Sequence, residues 1–362
     1  MNEPQGNTLG FFFTKGKRGV IVLKEKKQSE KNAVKNRQSD IFDILSDRIK
    51  NCDSFNEDEK QTKLERLDEL RNQKVNILIA GATGAGKSST VNAMFDANVA
   101  DVGEGADPKT QELTSYELGN LVIWDSPGFG EGINDTIYAK LICKKLKELD
   151  ENGNPLIDLV LVILDASSKD LGTSISLIND TIIPTLGRKN DNRILIGINQ
   201  ADMAMKGRHW DEDKNEPDEV LKAYLNDVSQ SVVKRIKEAT DVTVEPVIYC
   251  AGYTENGIRR EPYNLIKLLS YIVEKIPTEK RLAIADRLNK NESNWEHDDH
   301  ESDYKAKTFD SFMESIKYHA RLGSCRGSEI GEDVLGIPGY VIGAALGGVF
   351  GAMKGLVTEL IG

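Results

Sequence analysis

Short apolar runs alternate with longer amphipathic segments between Val75 and Ile276. Apolar runs such as Leu159–Leu164 are typical of parallel strands buried on both faces. The longer segments have the spacing of amphipathic helices. We predict strands at Val75–Ala80, Glu112–Leu118, Leu121–Trp124, Leu159–Leu164, Ile194–Ile198 and Val244–Tyr249. We predict helices at Lys87–Asp96, Ile137–Leu149, Ser174–Leu186, Pro217–Ala239 and Asn264–Ile276.

Strands that alternate with helices imply an α/β fold, a doubly wound and mostly parallel sheet. Helical regions are predicted on both sides of it along the chain. The expected division is a basic tail and helical region at 1–72, a central domain at 73–277 and a helical region with a glycine-rich apolar tail at 278–362. The predicted flanking elements are helices at 41–49, Asn56–Asn72 (with Ser54 as N-cap), Thr278–Lys290 and Thr308–Leu322, and a polar linker at Asn291–Asp303.

The first predicted strand leads into a phosphate-binding motif. Residues 81–88 read Gly-Ala-Thr-Gly-Ala-Gly-Lys-Ser, which fits G-x-x-x-x-G-K-[ST] between a strand and a helix. The glycines let backbone N–H groups face phosphate oxygens, and the helix N-terminus adds positive potential. We expect Lys87 to reach the β- and γ-phosphates of a nucleotide and Ser88 to hold Mg²⁺.

Two further motifs follow predicted strands in the same chain order. Asp125-Ser-Pro-Gly128 places a carboxylate at a strand tip, where it can hold Mg²⁺, and the Gly128 N–H can meet the γ-phosphate. Asn199-Gln-Ala-Asp202 ends another strand, and its carboxylate can accept two hydrogen bonds from guanine that adenine cannot donate. Cys250-Ala-Gly252 follows the last strand and offers the Ala251 N–H to guanine O6, a weak signal by itself.

Together these motifs resemble those of the translation-factor-related (TRAFAC) P-loop GTPase class over about Lys74–Ile276. The loop form is similar to septin-like and immunity-related GTPases, and the layout to the Era-like branch. The stretch Asn199–Trp210 resembles a prophage-encoded bacterial GTPase family. The resemblance implies GTP/GDP and Mg²⁺ as ligands, with phosphate contacts from Thr83, Gly84, Ala85, Gly86, Lys87, Ser88 and Ser89, base contacts from Asn199, Asp202 and Ala251, and metal contacts from Ser88, Thr110 and Asp125.

Within that resemblance, Lys87, Thr110 and Gly128 are the expected catalytic groups. Thr110 resembles the switch threonine that closes on Mg²⁺ and the γ-phosphate, with Thr114 as its competitor. The switch segments are expected around 103–113 and 128–134.

Three residues depart from the class pattern. Gln200 replaces the usual Lys, whose stem covers the base. Phe129 stands where Ras-like proteins carry the Gln that orients water, which predicts slow hydrolysis or a non-hydrolysing GTP-bound assembly module. Gly84 stands where potassium-activated relatives carry an Asn, so the sequence offers no support for that activation.

The charge balance bears on partners and compartment. The net charge of −11 argues against a general nucleic-acid binder, although residues 1–40 hold nine Lys/Arg against four Asp/Glu. That basic segment predicts a solvated tail, with contact to an anionic surface as the alternative. Four scattered cysteines without metal spacing fit a reducing cytoplasm.

Glycine recurs every fourth residue near the end of the chain, at 323–331 and again at 339–355. This stripe lets another helix approach closely, and residues 334–353 carry no charge. It leaves three interpretations: packing within the protein or a homo-oligomer, peripheral membrane contact or insertion, and a disordered tail. The insertion Met203–Pro217 and the linker around His297 and His300 are expected to be solvated loops, with a nucleotide or partner contact as the alternative for the first and a metal site for the second.

Overall fold

A computed structural model describes residues 41–53, 55–95, 113–129, 135–187, 192–255, 258–285, 287–321, 333–334 and 337–338. The basic segment 1–40, the N-cap candidate Ser54, the switch candidate Thr110 and the glycine stripe from Gly323 onward lie outside the described residues.

A six-stranded sheet forms the centre of the molecule, in the order β2-β3-β1-β4-β5-β8. Strand β2 is antiparallel to β3, and the other neighbours are parallel. Every residue of β1 and β5 is buried, which explains why these strands read as apolar runs. The strands of this sheet are β1 Val75–Gly81, β2 Thr114–Leu118, β3 Leu121–Asp125, β4 Leu159–Asp165, β5 Ile194–Asn199 and β8 Val247–Ile248. Shorter pairs are β6 Trp210–Asp211 with β7 Glu216–Pro217, β9 Tyr253–Glu255 with β10 Ile258–Arg260, and β11 Asp333–Val334 with β12 Ile337–Pro338.

Helices cover both faces of the sheet, which confirms the doubly wound α/β prediction. Apolar residues of α1, α2, α3, α8, α9 and α10 share one core with the sheet, and those of α4 to α7 form the second core on the other face. The helices are α1 Ile41–Lys50, α2 Glu57–Arg71, α3 Lys87–Met94, α4 Asp135–Leu146, α5 Gly172–Leu177, α6 Ile183–Leu186, α7 Glu219–Thr240, α8 Leu265–Lys275, α9 Leu282–Ala285 and α10 Tyr304–Arg321. A π-helical turn at Ile178–Ile182 joins α5 to α6.

Two predicted boundaries were wrong in informative ways. Asn56, rather than Ser54, is the N-cap of α2, because its Oδ1 accepts from Glu59 N at 2.9 Å while Glu59 accepts from Asn56 N at 3.0 Å. This reciprocal pair is a capping box, which the sequence also contains. The strand predicted at Val244–Tyr249 is reduced to β8, since only Val247 and Ile248 pair with β5.

The C-terminal region also differs from its prediction. The helical stretch expected at Thr278–Lys290 is a short 3₁₀ turn, Thr278–Lys280, followed by the four-residue α9. The polar linker expected at Asn291–Asp303 contains buried Asn294 and Trp295, which are 3% and 1% exposed. The Asn294 side chain is buried because it bonds to the end of α3.

Residues 287–295, which we call the C-terminal strap, hold the last turn of α3. Asn294 Nδ2 donates to Ala93 O at 2.8 Å, and Asn289 Nδ2 donates to Asn92 O at 2.9 Å. The backbone N of Asn289 donates to Met94 O at 2.8 Å. These bonds satisfy carbonyls that a helix C-terminus otherwise leaves without partners.

A buried ion pair ties the C-terminal region to the start of the sheet. Asp158, just before β4, accepts from Asn76 N at 2.8 Å and from Lys280 Nζ at 2.7 Å. The Asp158 and Lys280 side chains are only 4% and 16% exposed. Burial raises the pKa of Asp158, and the Lys280 ammonium opposes that rise.

Replacing Lys280 by alanine is expected to lower the free energy of unfolding by about 3 kcal/mol at pH 7, because Asp158 is left as a buried charge. The loss should shrink as the pH falls and Asp158 is protonated. Urea denaturation of Lys280→Ala measures this. Lys222→Ala, whose partner Glu219 is 91% exposed, is the control and should change the free energy by less than about 0.5 kcal/mol. Equal effects of the two substitutions would contradict a stabilising role for the buried pair.

Candidate functional site

The phosphate-binding sequence forms a tight loop between β1 and α3. Gly84 and Gly86 adopt positive φ angles of 81° and 86°. A Cβ at Gly86 would overlap the amide Nδ2 of Asn199, so both backbone conformation and space require glycine there. Ala85 is buried in this loop. The predicted phosphate contacts with exposed positions are Thr83, Gly84, Ser88 and Ser89.

Lys87 extends back along the loop. Its ammonium donates to Gly81 O and Ala82 O, each at 3.2 Å. Burial lowers the pKa of Lys87, and the nearby Asp125 carboxylate opposes that change. The ammonium is therefore held at the mouth of the loop, where a phosphate chain would lie against the backbone N–H groups.

Asp125 is the last residue of β3, and its carboxylate interacts electrostatically with the Lys87 ammonium. Among the described residues, its Oδ1 is buried without a hydrogen-bond partner, as is Oγ of Ser126. Burial raises the pKa of Asp125 to about 6, with Lys87 acting in the opposite direction. A buried carboxylate oxygen without a partner fits the oxygen donors that Mg²⁺ prefers, and the exposed Ser88 follows Lys87, which interacts with this carboxylate. The described residues thus fit the predicted metal site.

Gly128 lies directly against the phosphate loop. A Cβ at this position would overlap Thr83 Oγ1 and stand 2.8 Å from Thr83 N. Phe129 N donates to Gly81 O at 3.3 Å, and Thr83 N donates to Phe129 O at 3.1 Å. The D-S-P-G segment and the phosphate loop are therefore joined by backbone hydrogen bonds next to Gly128. Thr114, the competitor of Thr110, is exposed at the start of β2 opposite Asp125.

Asn199 joins the phosphate loop to the two base-side motifs. Its Nδ2 donates to Ala85 O at 3.0 Å, and its Oδ1 accepts from Ala251 N at 3.0 Å. Gln200, in a left-handed conformation with φ of 62°, donates from Nε2 to Gly84 O at 2.6 Å. Asp202, which carries the predicted base-reading carboxylate, is two residues further along the chain.

Sequence reasoning missed two contacts that hold these motifs. Cys250 Sγ accepts from Asp202 N at 3.2 Å, so the side chain of the Cys-Ala-Gly motif also contributes. Tyr249 shares a buried hydrogen bond of 2.8 Å with Thr90 Oγ1 on α3. For the Tyr249 contact, the sequence offered one signal, the hydroxyl of Thr90 two residues after Ser88.

Residues 76–200 match the family model described as "50S ribosome-binding GTPase". That span begins in β1, ends at Gln200 and includes the phosphate loop, Asp125, Gly128 and Asn199. The chain contains a P-loop GTPase domain. The resemblance to P-loop GTPases that the sequence motifs indicate is thereby confirmed.

Two relatives from Escherichia coli strain K12 resemble the chain around this GTPase domain. The uncharacterized protein YfjP is 33% identical over 148 residues, and the uncharacterized protein YkfA is 31% identical over 145 residues. Each match covers 39% of this chain and 46% of the relative, so the chain spans about half the length of the curated relatives it matches.

Among solved structures, the chain is similar to Toc33 from Arabidopsis thaliana in complex with Mg²⁺ and GMPPNP. The identity is 19%, with a TM-score of 0.33 over 54% of this chain and 80% of that one.

The insertion after Asp202 is folded against the GTPase domain rather than solvated throughout. Trp210 packs edge-on against Tyr263, with ring centroids 5.4 Å apart. Asn215 Nδ2 donates to Glu261 O at 3.2 Å and to Pro262 O at 3.0 Å. His209 pairs with Asp218, the N-cap of α7, at 2.8 Å. The insertion therefore covers the segment beyond the β9–β10 pair.

The residues around His297 and His300 form contacts of their own. His300 is exposed and pairs with Asp298 at 3.0 Å, while Asp299 binds Lys267 at 2.6 Å. In the parts of the chain that the structure describes, no group of three His, Cys, Asp or Glu side chains is arranged to hold a metal ion. Among the helices described, none combines the length and apolar character needed to cross a bilayer.

Asp125→Asn is expected to stabilise the nucleotide-free GTPase domain at pH 7.5, with a Tm about 4 °C higher. Because burial raises the pKa of Asp125 from 3.8 to about 6, the folded protein binds the proton more tightly than the unfolded chain. The carboxylate therefore costs stability above pH 6, and the advantage of Asp125→Asn should vanish as the pH falls through 6 towards 4.

Thermal denaturation in EDTA at several pH values measures the effect. The exposed Asp227→Asn is the control and should leave the Tm unchanged at each pH. A lower Tm for Asp125→Asn at pH 7.5 would show that the carboxylate has a stabilising partner instead.

Proposed function

We propose that the protein binds GTP with Mg²⁺ and hydrolyses it slowly to GDP and phosphate, as a nucleotide-dependent switch. The observation that carries this is the Asn199 side chain, which bonds the phosphate loop at Ala85 and the base-side motif at Ala251. One side chain thereby sets the spacing between phosphate contacts and base contacts. Asp202 lies at the same edge, where its carboxylate suits guanine N1–H and N2–H₂.

The proposed chemistry is electrostatic. Lys87, the loop N–H groups and the Gly128 N–H would offset the charge that develops on the β–γ bridge and the γ-phosphate oxygens. Mg²⁺, held by Ser88, Thr110 and Asp125, would supply further positive charge. Water attacks the γ-phosphorus in line, the bond to the bridging oxygen breaks, and its electron pair stays on GDP.

Slow turnover follows from the position of Phe129. Its side chain is only 3% exposed and packs in the core of the α4–α7 face. A buried phenyl ring cannot hydrogen-bond a water molecule at the γ-phosphate. The same observation favours the second candidate function, a GTP-bound assembly module that does not hydrolyse GTP.

Two measurements on the full chain test the proposal. Titration with fluorescent GTP, GDP and ATP analogues should show guanine binding that is stronger in Mg²⁺ than in EDTA, and equal or tighter ATP binding would refute guanine selectivity. Single-turnover phosphate release should then give a slow but measurable rate. Binding without any release would leave the assembly module as the function.

The finer parts of the proposal concern partners. We expect the nucleotide state to affect the flanking helices, through a homo-oligomer formed by the GTPase domain or the glycine stripe, or through peripheral membrane contact in the cytoplasm. Oligomer size and liposome co-sedimentation, measured with GTP analogue and GDP and with and without residues 323–362, separate these outcomes. No difference between nucleotides in either assay would remove this part of the proposal.

A further inference from the structure

The group that orients the attacking water is the missing part of the proposed GTPase site. The usual position for it is occupied by Phe129, whose ring lies edge-on to Tyr138 with centroids 6.0 Å apart. Phenylalanine carries no hydrogen-bonding atom, and this ring is fixed in the core. If the protein hydrolyses GTP, another group has to hold the water.

Thr83 places a hydroxyl beside Gly128. Thr83 Oγ1 is the heavy atom nearest to the position that a Gly128 Cβ would take, followed by Thr83 Cα at 2.7 Å. Thr83 Oγ1 therefore lies beside Gly128, whose N–H group the proposed function expects at the γ-phosphate. Thr83 is also exposed, so a ligand in the loop can reach it.

The backbone of Thr83 is held against Phe129. Thr83 N donates to Phe129 O at 3.1 Å, and the neighbouring Ala82 forms a parallel bridge with Phe129. Phe129 thus lacks a catalytic side chain but anchors the residue that carries a hydroxyl. The D-S-P-G segment has a hydroxyl of its own on Ser126, but that residue is only 2% exposed and is not open to the loop.

We propose that Thr83 is a catalytic residue of this site, whose hydroxyl contacts the attacking water at the γ-phosphate. This inference rests on the proposed GTP hydrolysis. The Thr83 oxygen accepts a hydrogen bond from the water, and the Thr83 O–H group donates a hydrogen bond to a γ-phosphate oxygen without losing its proton. The water oxygen bonds to phosphorus, the bond to the bridging oxygen breaks towards GDP, and the water proton ends on the released phosphate. Thr83 itself is unchanged by the step.

Thr83→Val tests the role, because valine keeps the branched shape and removes the hydroxyl, while Thr83→Ser keeps the hydroxyl. Single-turnover phosphate release should be about 100-fold slower in Thr83→Val, the usual loss for one oriented group. Thr83→Ser should stay within about 5-fold of wild type. Affinities for GTP and GDP are measured for both variants, so that a loss of nucleotide binding is separated from a loss of rate in the bound state.

A second readout does not depend on turnover. GDP with aluminium fluoride mimics the planar γ-phosphoryl group, so wild type and Thr83→Ser should bind this mimic more tightly than GDP alone. Thr83→Val should bind it no more tightly than GDP. Thr83→Ala, measured alongside, replaces Thr83→Val if valine lowers the Tm of the free protein.

Each outcome bears on the inference. A Thr83→Val rate equal to or faster than wild type, with measurable wild-type hydrolysis, overturns the role of Thr83 and leaves the proposed function intact. Equal loss in Thr83→Ser and Thr83→Val also overturns it, because only the hydroxyl distinguishes them. Absence of hydrolysis in wild type that binds GTP overturns both.

Discussion

A protein with alanine in place of Lys87 is expected to bind GTP at least about 100-fold more weakly than wild type. In the proposed site the ammonium would donate charged hydrogen bonds to two phosphate groups, each worth about 1.5–3 kcal/mol, and each 1.4 kcal/mol is about tenfold in affinity. Among the described residues, Lys87 is the cationic side chain that hydrogen-bonds to the Gly81 and Ala82 carbonyls of the loop. Equilibrium titration with a fluorescent GTP analogue measures the loss.

Stability has to be measured beside binding. The Lys87 side chain is desolvated in the free protein, so its removal costs two hydrogen bonds but also relieves a buried charge. We expect the Tm of nucleotide-free Lys87→Ala to stay close to that of wild type. Lys234→Ala, at an α7 position whose side chain is 73% exposed, is the matched control and should bind GTP normally. GTP affinity that survives in Lys87→Ala would place the phosphates outside this loop.

The second large effect is a change of base preference in Asp202→Asn. In the proposed site the Asp202 carboxylate would accept from guanine N1–H and N2–H₂, whereas an asparagine offers one acceptor and one donor. Xanthine presents N1–H and a carbonyl at the same edge, which suits that pair. Loss of a bidentate contact costs about 1–3 kcal/mol, so GTP should bind about 5- to 150-fold more weakly and XTP more tightly than to wild type.

Competition of GTP and XTP against a fluorescent analogue measures the preference. Asp213→Asn, an exposed position in the neighbouring insertion, is the control and should retain guanine selectivity. Because Asp202 holds Cys250 through its backbone N, the substitution leaves that contact in place. An unaltered preference in Asp202→Asn would mean that another group reads the base.

The sheet could be predicted from the sequence because its central strands are buried on both faces. The runs in β1, β4 and β5 leave no polar face, so their type and bounds were clear. The edge strand β8 was overestimated because Val244 and the run Val247–Tyr249 were read as one apolar strand across Glu245 and Pro246, although only two residues pair with β5. Pairing depends on the approach of a neighbouring strand, which the local pattern does not contain.

The motifs of the site were visible because their residue types are few and their order is regular. Their connections were not visible, since Asn199 meets Ala85 across 114 positions and Ala251 across 52. The strap was missed for a related reason. Asn289 and Asn294 look like linker residues, yet their amides satisfy carbonyls at the end of α3. Polar residues that bond to backbone elsewhere carry no periodic signal.

Helix α3 is thus tethered at both ends. Its start follows the loop that Asn199 and Gln200 hold, and its last turn is bonded to the strap. Because both ends of this short helix are held, a movement of the phosphate loop would displace the whole helix along its axis. The strap leads on to α10, so a shift of the loop on nucleotide exchange would arrive in the C-terminal helix as a displacement. The position of the C-terminal region would therefore report which nucleotide occupies the phosphate loop.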